Sequence, residues 1–407
     1  KIAVTSRECS ILGRREVLTG KAKFGIFGDG KEIPQLAWAK AFRNGDFRSG
    51  YYRDQTFMMC IGVLNIEQFF AGLYANPDIE QEPMSAGRQM GGHFTTHSLD
   101  ENGNWKDLTK QKNSSADISP TAGQMPRLLG LAQASKVYRE IKEIDNNKFS
   151  VNGDEIAWGT IGNASTSEGL FFETINAAGV LQVPMVISIW DDEYGISVPA
   201  KYHTTKESIS DALVGFKRTE SKKGYEILKV KGWNYVELIQ TYLNAAEIAR
   251  NEHVPVIIHV EELTQPQGHS TSGSHERYKS KERLDWEKEN DCILKMREWM
   301  VLNEIASDED LTQIEREIKK NVRAGKIDAW NNFLAPIIKE KKELEEILGK
   351  LSRKSTNKAF IEKLIGTLQN FNEPGRKDVI SIARKALRYV INEESNEREE
   401  LKNWVNK

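Results

Sequence analysis

Two turns in this chain carry residue types that could hold a charged ligand. Gly162-Asn163-Ala164 closes a β-prone run at residues 156–161, and the acidic turn Asp191-Asp192-Glu193 closes a second run at 183–190. Carboxylate, amide and backbone carbonyl oxygens are the donors a hard cation such as Mg²⁺ takes, usually shared with phosphate oxygens. Between the two runs, Leu170, Phe171, Ile175, Ala178 and Leu181 recur at helical spacing. Residues 156–199 therefore read as strand, helix, strand, with polar groups at the C-terminal ends of both strands. In doubly wound sheets that edge is where ligands bind, so the expectation is a metal ion and a cofactor diphosphate held by the two turns. Alone, Asn163 would cap a helix and Asp192 would shape a turn. Jointly, at adjacent strand ends, they favour a site.

The flanking chain supplies elements that could position such a site. The stretch FGIFGDGKEIP reads as a turn leading into a helix over 33–43, where Ile33, Leu36, Ala37 and Ala41 form a stripe and Gly45 a stop. A polar segment at 48–56 holds Tyr51, Tyr52 and Arg53, and an apolar helix is expected over 58–73. Residues 75–119 form a long irregular region containing His93 and His97; loops of that length in a compact domain are usually functional. Helix is expected at 122–143, strand at 225–230, helix at 235–249 and a buried strand at 254–260. The repeated order of strand, helix and strand predicts an α/β fold, a parallel sheet with helices on both faces.

After a polar loop at 261–278 the chain changes character. From 280 to 407 it is highly charged and reads as helical. Leu311, Ile314, Ile318 and Val322 make one apolar stripe opened by Ser307, and Asp378 precedes a second made of Val379, Ala383, Leu387 and Val390. Residues 337–358 read as an exposed helix and linker.

Charge and cysteine usage exclude several classes. With 57 basic and 59 acidic residues among 407, no global field points to nucleic acid or a membrane surface. No apolar run approaches the ~18–20 residues of a membrane span, and the amino terminus does not read as a signal peptide. Three scattered cysteines, Cys9, Cys60 and Cys292, suit neither a disulfide framework nor a zinc cluster, and the default expectation is a reducing cytoplasm. There is no P-loop, and Gly25, Gly28 and Gly30 do not form the dinucleotide G-x-G-x-x-G.

The 156–199 stretch resembles the thiamine-diphosphate motif of the α subunits of 2-oxo acid dehydrogenase first components. That motif begins Gly-Asp-Gly and ends about thirty residues later in Asn-Asn; Gly162-Asn163-Ala164 and Asp191-Asp192 align with its two ends. Residues 165–169 (STSEG) and 194–197 (YGIS) match closely. The resemblance implies Mg²⁺ ligands at Asn163, Asp192 and the carbonyl of Tyr194, with acid and amide exchanged relative to the family. GRQMGGHF at 87–94 resembles a family loop that places His93 near the thiazolium ring. Tyr52-Arg53 fits a Tyr-Arg pair whose arginine forks onto diphosphate oxygens. Ser119-Pro120-Thr121 fits a segment touching the pyrimidine ring and diphosphate, although an apolar residue is usual where Thr121 falls. QGHSTSGSHERY places His269 at the catalytic position, followed by Ser270, which is a phosphorylation site in mitochondrial relatives.

The likeness runs from about residue 36 to 335. It implies thiamine-diphosphate-dependent oxidative decarboxylation of a 2-oxo acid with acyl transfer to a lipoyl group, branched-chain substrates favoured and pyruvate next. His93 and His269 would stabilise or protonate intermediates. The activating glutamate would come from a β subunit or a β-like half, giving a heterotetramer that works with a lipoyl-bearing acyltransferase core. The expected division is 1–32 as an N-terminal segment, 33–280 as the thiamine-diphosphate domain, 281–336 as its closing helices and 337–407 as a helical extension, suited to connect a β-like half. Acetoin-cleaving or transketolase-like enzymes, and a pseudoenzyme scaffold without metal, are the alternatives.

Overall fold

Eight short strands occur among the described residues: β1 (Phe47–Ser49), β2 (Asn113–Ser114), β3 (Ala157–Gly162), β4 (Met185–Trp190), β5 (Tyr194–Gly195), β6 (Val198–Pro199), β7 (Glu226–Lys231) and β8 (Val256–Glu261). The computed structural model describes residues 1–144 and 148–406. Six strands form one sheet in the order β2-β1-β3-β4-β8-β7, every neighbour parallel, while β5 and β6 make a small antiparallel hairpin beside it. β3, β4 and β8 are almost continuously apolar because both their faces are covered. The edge strand β7 carries Lys229 and Lys231, which discourage further pairing.

Alternation along the strands sends successive side chains to opposite faces. Ala157, Ile161, Ile187, Ile189 and Ile257 meet Met125, Leu128 and Ala132 of the helix Met125–Glu140 and Phe171, Ile175 and Ala178 of the helix Gly169–Leu181. On the other face Trp158 lies 6.3 Å from the Trp38 ring of the helix Glu32–Ala41, and Ser188 Oγ is 2.9 Å from the hydroxyl of Tyr242 on the helix Tyr235–Glu247. Trp38 in turn stacks on Phe57 with ring centroids 3.5 Å apart. The expected α/β fold with helices on both faces is the observed one.

Several local expectations are corrected. The helix expected over 58–73 is two, Gln55–Cys60 and Ile66–Leu73, because Gly62 takes φ +79° and Asn65 and Gln68 open the second with reciprocal side-chain caps. The polar segment at 48–56 lies next to β1, whose Arg48 is wholly buried between Asp54 and Asp117, so a charge concealed a strand. The first 30 residues, weak in signal, contain the helix Ile2–Leu18; its Arg7 pairs with Glu32 at 2.6 Å and its Glu16 accepts from Tyr74 Oη at 2.8 Å. Charged side chains satisfied by partners bury a helix that shows no apolar stripe.

The chain forms two compact units, Lys1–Lys326 and Ile327–Lys407. In the second unit, residues 337–354 are not an exposed helix and linker. They belong to the helix Asp308–Lys354, and Leu344, Leu348 and Leu351 are fully buried against Ile361, Leu368, Val379, Ala383 and Leu401 of the helices Lys358–Gln369, Arg376–Tyr389 and Asn396–Asn406. This unit has a core of its own. Ser307 caps as expected, accepting from Asp310 N at 3.1 Å, whereas Asp378 sits one turn inside its helix and accepts from Gly375 N. No helix among the described residues is long and apolar enough to cross a membrane.

Candidate active site

Gly162 and Trp190 stand level at the C-terminal ends of β3 and β4. Asn163 N donates to Trp190 O at 3.1 Å and Asp191 N donates to Val260 O at 3.0 Å, so three strand ends are held in step. Above them opens a cavity of about 270 Å³. It brings together Tyr52, Arg53, Thr121, Gly162, Asn163, Ala164, Asp192, Tyr194 and His269 from segments far apart in sequence. His93 and Ser119 do not line it. They bond to each other, His93 Nε2 to Ser119 Oγ at 2.9 Å, while His93 Nδ1 donates to Met90 O at 2.9 Å. Their loop abuts the cavity wall, since a Cβ on Gly92 would stand 3.2 Å from the Tyr52 carbonyl. His97 is exposed and donates to Pro83 O, apart from the site.

The acidic turn is anchored from below. Asp191 Oδ2 accepts from His259 Nε2 at 2.8 Å, His259 Nδ1 lies 2.8 Å from Ser210 Oγ, and Asp191 Oδ1 accepts from Glu193 N at 2.8 Å. All three side chains are buried. A carboxylate only accepts, so Nε2 of His259 carries a proton and donates it to Asp191. This chain of bonds fixes Asp191 and thereby aims its neighbour, Asp192, at the cavity.

Sequence reasoning missed Lys31. Its Nζ reaches Asp192 Oδ2 at 2.9 Å, Thr264 O at 2.9 Å and Gln265 Oε1 at 2.7 Å, and the residue is 1% exposed. Three acceptors match the three N–H bonds that only the protonated amine has. Gly30 makes the approach possible: it takes φ +85°, and a Cβ there would lie 2.0 Å from Thr264 O. Burial alone would raise the Asp192 carboxyl, but Lys31 and then Arg53 override it and hold the group below the ordinary aspartate range. Nothing in the spacing of a lysine and an aspartate 161 positions apart announces such a pair.

Arg53 donates through Nη1 to Phe27 O at 2.6 Å and through Nη2 to both Nδ1 and the carbonyl of His269, at 3.0 and 3.1 Å. Burial, and then the adjacent guanidinium, push His269 down to about 4. At neutral pH the ring is therefore uncharged, accepting at Nδ1 and carrying its proton on Nε2. The site also includes Tyr51, Ser165, Trp190, Gly195 and Ile196. Ile196 is 62% exposed and takes φ +58°, a conformation costly for a β-branched residue.

Burial lowers the Lys31 ammonium from the ordinary lysine value against the pull of Asp192, while Arg53 is raised; with Lys31 held protonated by its three acceptors, the lining carries one positive charge more than Asp192 offsets, which suits an anion. Asn163 Nδ2 is buried with no hydrogen-bond partner, a donor free for an oxyanion. At Gly162 a Cβ would find nothing nearer than 3.6 Å, so its absence leaves room over the strand end. A diphosphate fits this donor set. A divalent cation fits only with phosphate oxygens added: among the described residues the sole lining carboxylate is already paired to Lys31, and no group of three or more His, Cys, Asp or Glu side chains could hold a metal.

A parallel sheet with a polar cavity at its C-terminal strand ends has the architecture in which α/β proteins bind cofactors. Residues 4–331 match the family model of the dehydrogenase E1 component, and the chain belongs to that family, whose members depend on thiamine diphosphate. Within it the chain is an α-type component of a 2-oxo acid dehydrogenase. It is 27% identical over 293 residues to the 2-oxoisovalerate dehydrogenase subunit alpha of Bacillus subtilis (strain 168), covering 72% of this chain and 77% of that one. It is 25% identical over 305 residues to the mitochondrial 2-oxoisovalerate dehydrogenase subunit alpha 2 of Arabidopsis thaliana, covering 74% and 56%. Identity to the pyruvate dehydrogenase E1 component subunit alpha of Rickettsia bellii (strain RML369-C) is 28% over 170 residues, covering 42% and 49%. The chain spans about half the length of these last two relatives.

Proposed function

We propose that this chain holds the cofactor diphosphate in an oxidative decarboxylase of 2-oxo acids that passes the acyl group to a lipoyl arm. The observation that carries the reading is the convergence of Arg53, Asn163, Asp192 and His269 on one cavity at the strand ends. Thiamine diphosphate, when bound, supplies the electron sink for loss of CO₂. Arg53 contributes fixed positive charge, Asn163 Nδ2 an unused donor, and Tyr52, Thr121, Gly162 and Ala164 the walls. Mg²⁺ would share the diphosphate oxygens with Asn163 Oδ1, Asp192 and the Tyr194 carbonyl. His269, uncharged and protonated on Nε2, is suited to donate a hydrogen bond to a substrate oxygen without carrying a charge. His93, fixed by Met90 O and Ser119, would orient the wall behind Tyr52. The working domain expected over 33–280 with the helices to 336 extends in this reading to the N-terminal segment as well, because Lys31 lines the cavity.

A β-type partner is supported by two observations. Asp192 is the only carboxylate among the described residues lining the cavity, so the glutamate that activates the aminopyrimidine must come from elsewhere. Leu170, Phe172, Val198 and Tyr202, in the segments leading from the two turns, are exposed, Tyr202 by 73%. A lipoyl-bearing acyltransferase would then receive the product. Branched-chain substrates are favoured by the two 2-oxoisovalerate dehydrogenase relatives. Cys9, Cys60 and Cys292 are free thiols, which supports a cytoplasmic setting.

The test is steady-state CO₂ release and lipoamide acylation by the assembled α–β enzyme with 2-oxoisovalerate, pyruvate and 2-oxoglutarate. The expected order places 2-oxoisovalerate first. Turnover of acetoin or of sugar phosphates instead would move the chain to the neighbouring thiamine-dependent classes. No turnover, with no cofactor binding by calorimetry, would overturn the reading.

A further inference from the structure

A metal site built from one carboxylate and one amide has a single negative charge with which to attract a divalent cation. Here that charge is already cancelled. Lys31 Nζ lies 2.9 Å from Asp192 Oδ2, and its other two N–H bonds are taken by Thr264 O and Gln265 Oε1. The lysine is thus fixed in place at the bottom of the cavity, 1% exposed, on a turn that requires Gly30. Arg53 adds a second buried cation to the same wall. The unpartnered donor, Asn163 Nδ2, favours an oxyanion over a cation.

We propose that Lys31 is a built-in counter-cation of the diphosphate site, which makes cofactor binding by this protein largely independent of divalent metal. The inference rests on the thiamine-diphosphate reading above. In the free protein Lys31 offsets the charge of Asp192, so a divalent ion meets little net attraction from that carboxylate and enters only with the diphosphate oxygens. The diphosphate in turn meets no bare carboxylate, because Asp192 is matched before the cofactor arrives. Without Lys31 the unpaired Asp192 would repel the diphosphate until a metal ion bridged the two.

Calorimetric titration of thiamine diphosphate into the full chain in its assembled α–β form, with Mg²⁺ or with excess EDTA, tests this. For the natural protein EDTA is expected to weaken binding by no more than about tenfold. Lys31→Gln is expected to lose about a hundredfold in EDTA, the effect of one unpaired unit charge about 5 Å away at an effective dielectric constant of about 25, and to recover most of it in Mg²⁺. Asp192→Asn, which leaves Lys31 charged, is expected to bind as well or better in EDTA; this arm decides the matter should Lys31→Gln fail to fold, as judged by circular dichroism. Loss of binding in EDTA by the natural protein, or a collapse of binding in Asp192→Asn under both conditions, would overturn the role of Lys31 while leaving the cofactor reading intact. No binding by the natural protein even in Mg²⁺ would overturn both.

Discussion

Arg53 Nη2 donates to Nδ1 of His269 at 3.0 Å and to the carbonyl of the same residue at 3.1 Å. A permanently charged guanidinium thus occupies the nitrogen that protonation of the ring would need. His269 should remain neutral until about pH 4. Imidazole chemical shifts followed by NMR through an acid titration check this, and Arg53→Gln should move the midpoint up towards the ordinary value of 6.5. A wild-type midpoint near 6.5 would show that the ring is neither buried nor held by Arg53 in solution.

The same shift sets the sign of a pH effect on stability. Between about pH 4 and 6.5 the unfolded chain holds the His269 proton that the folded chain refuses. Stability contributed by the neutral ring is full above 6.5 and falls as the pH drops through that window. Urea midpoints measured from pH 7 to 4.5 should decline, and His269→Gln should flatten the slope. An unchanged slope would assign the acid sensitivity elsewhere.

Ser210, His259 and Asp191 form a buried relay that carries no exposed nucleophile and so serves the turn above it. His259→Leu leaves Asp191 without its buried donor and should cost about 1–3 kcal/mol in urea unfolding. Cofactor affinity should fall further than global stability accounts for, because Asp192 loses its footing. Ser210→Ala, which removes only the outer bond, should be the milder change in both measurements.

Gly30→Ala should be more damaging than an exposed glycine substitution. The residue sits at φ +85° with the Thr264 carbonyl 2.0 Å from the would-be Cβ, so backbone and not a flexible side chain must move. The expected loss is about 1–3 kcal/mol together with displacement of Lys31 from Thr264. Gly20→Ala, also at positive φ but with nothing within 4 Å, separates the conformational cost from the contact.

In the C-terminal unit, Leu348 is fully buried among Ile361, Leu368 and Val379. Leu348→Ala should destabilise that unit by about 2–5 kcal/mol. Limited proteolysis should then cleave first within 327–406 and leave residues 1–326 resistant. Equal susceptibility of both units would argue against a separate core.

Much of the sheet was legible because β3, β4 and β8 are buried on both faces, and burial of that kind demands unbroken apolar runs that a sequence displays openly. The turns after β3 and β4 could be read from residue type and position together, since Asn163 and Asp192 stand at adjacent strand ends and both line the cavity. His269, Arg53 and Thr121 were found through the motifs around them, and the fold brings them to the same cavity. By contrast β1 was hidden by Arg48, the first helix by Arg7 and Glu16, and the C-terminal core by the lysines and glutamates that surround Leu344 and Leu348. Each is a case in which a charge looked solvated until its partner was seen.

The chain's own order of residues therefore determined the class of fold, the place of the two turns at the strand ends and the family. Tertiary structure alone decided how those turns are charged. It placed Lys31 against Asp192, the guanidinium of Arg53 against His269, and His93 beside Ser119 behind the cavity wall. The physical reason is that electrostatic identity depends on distance in space, and the partners that set it come from segments that neither periodicity nor spacing connects.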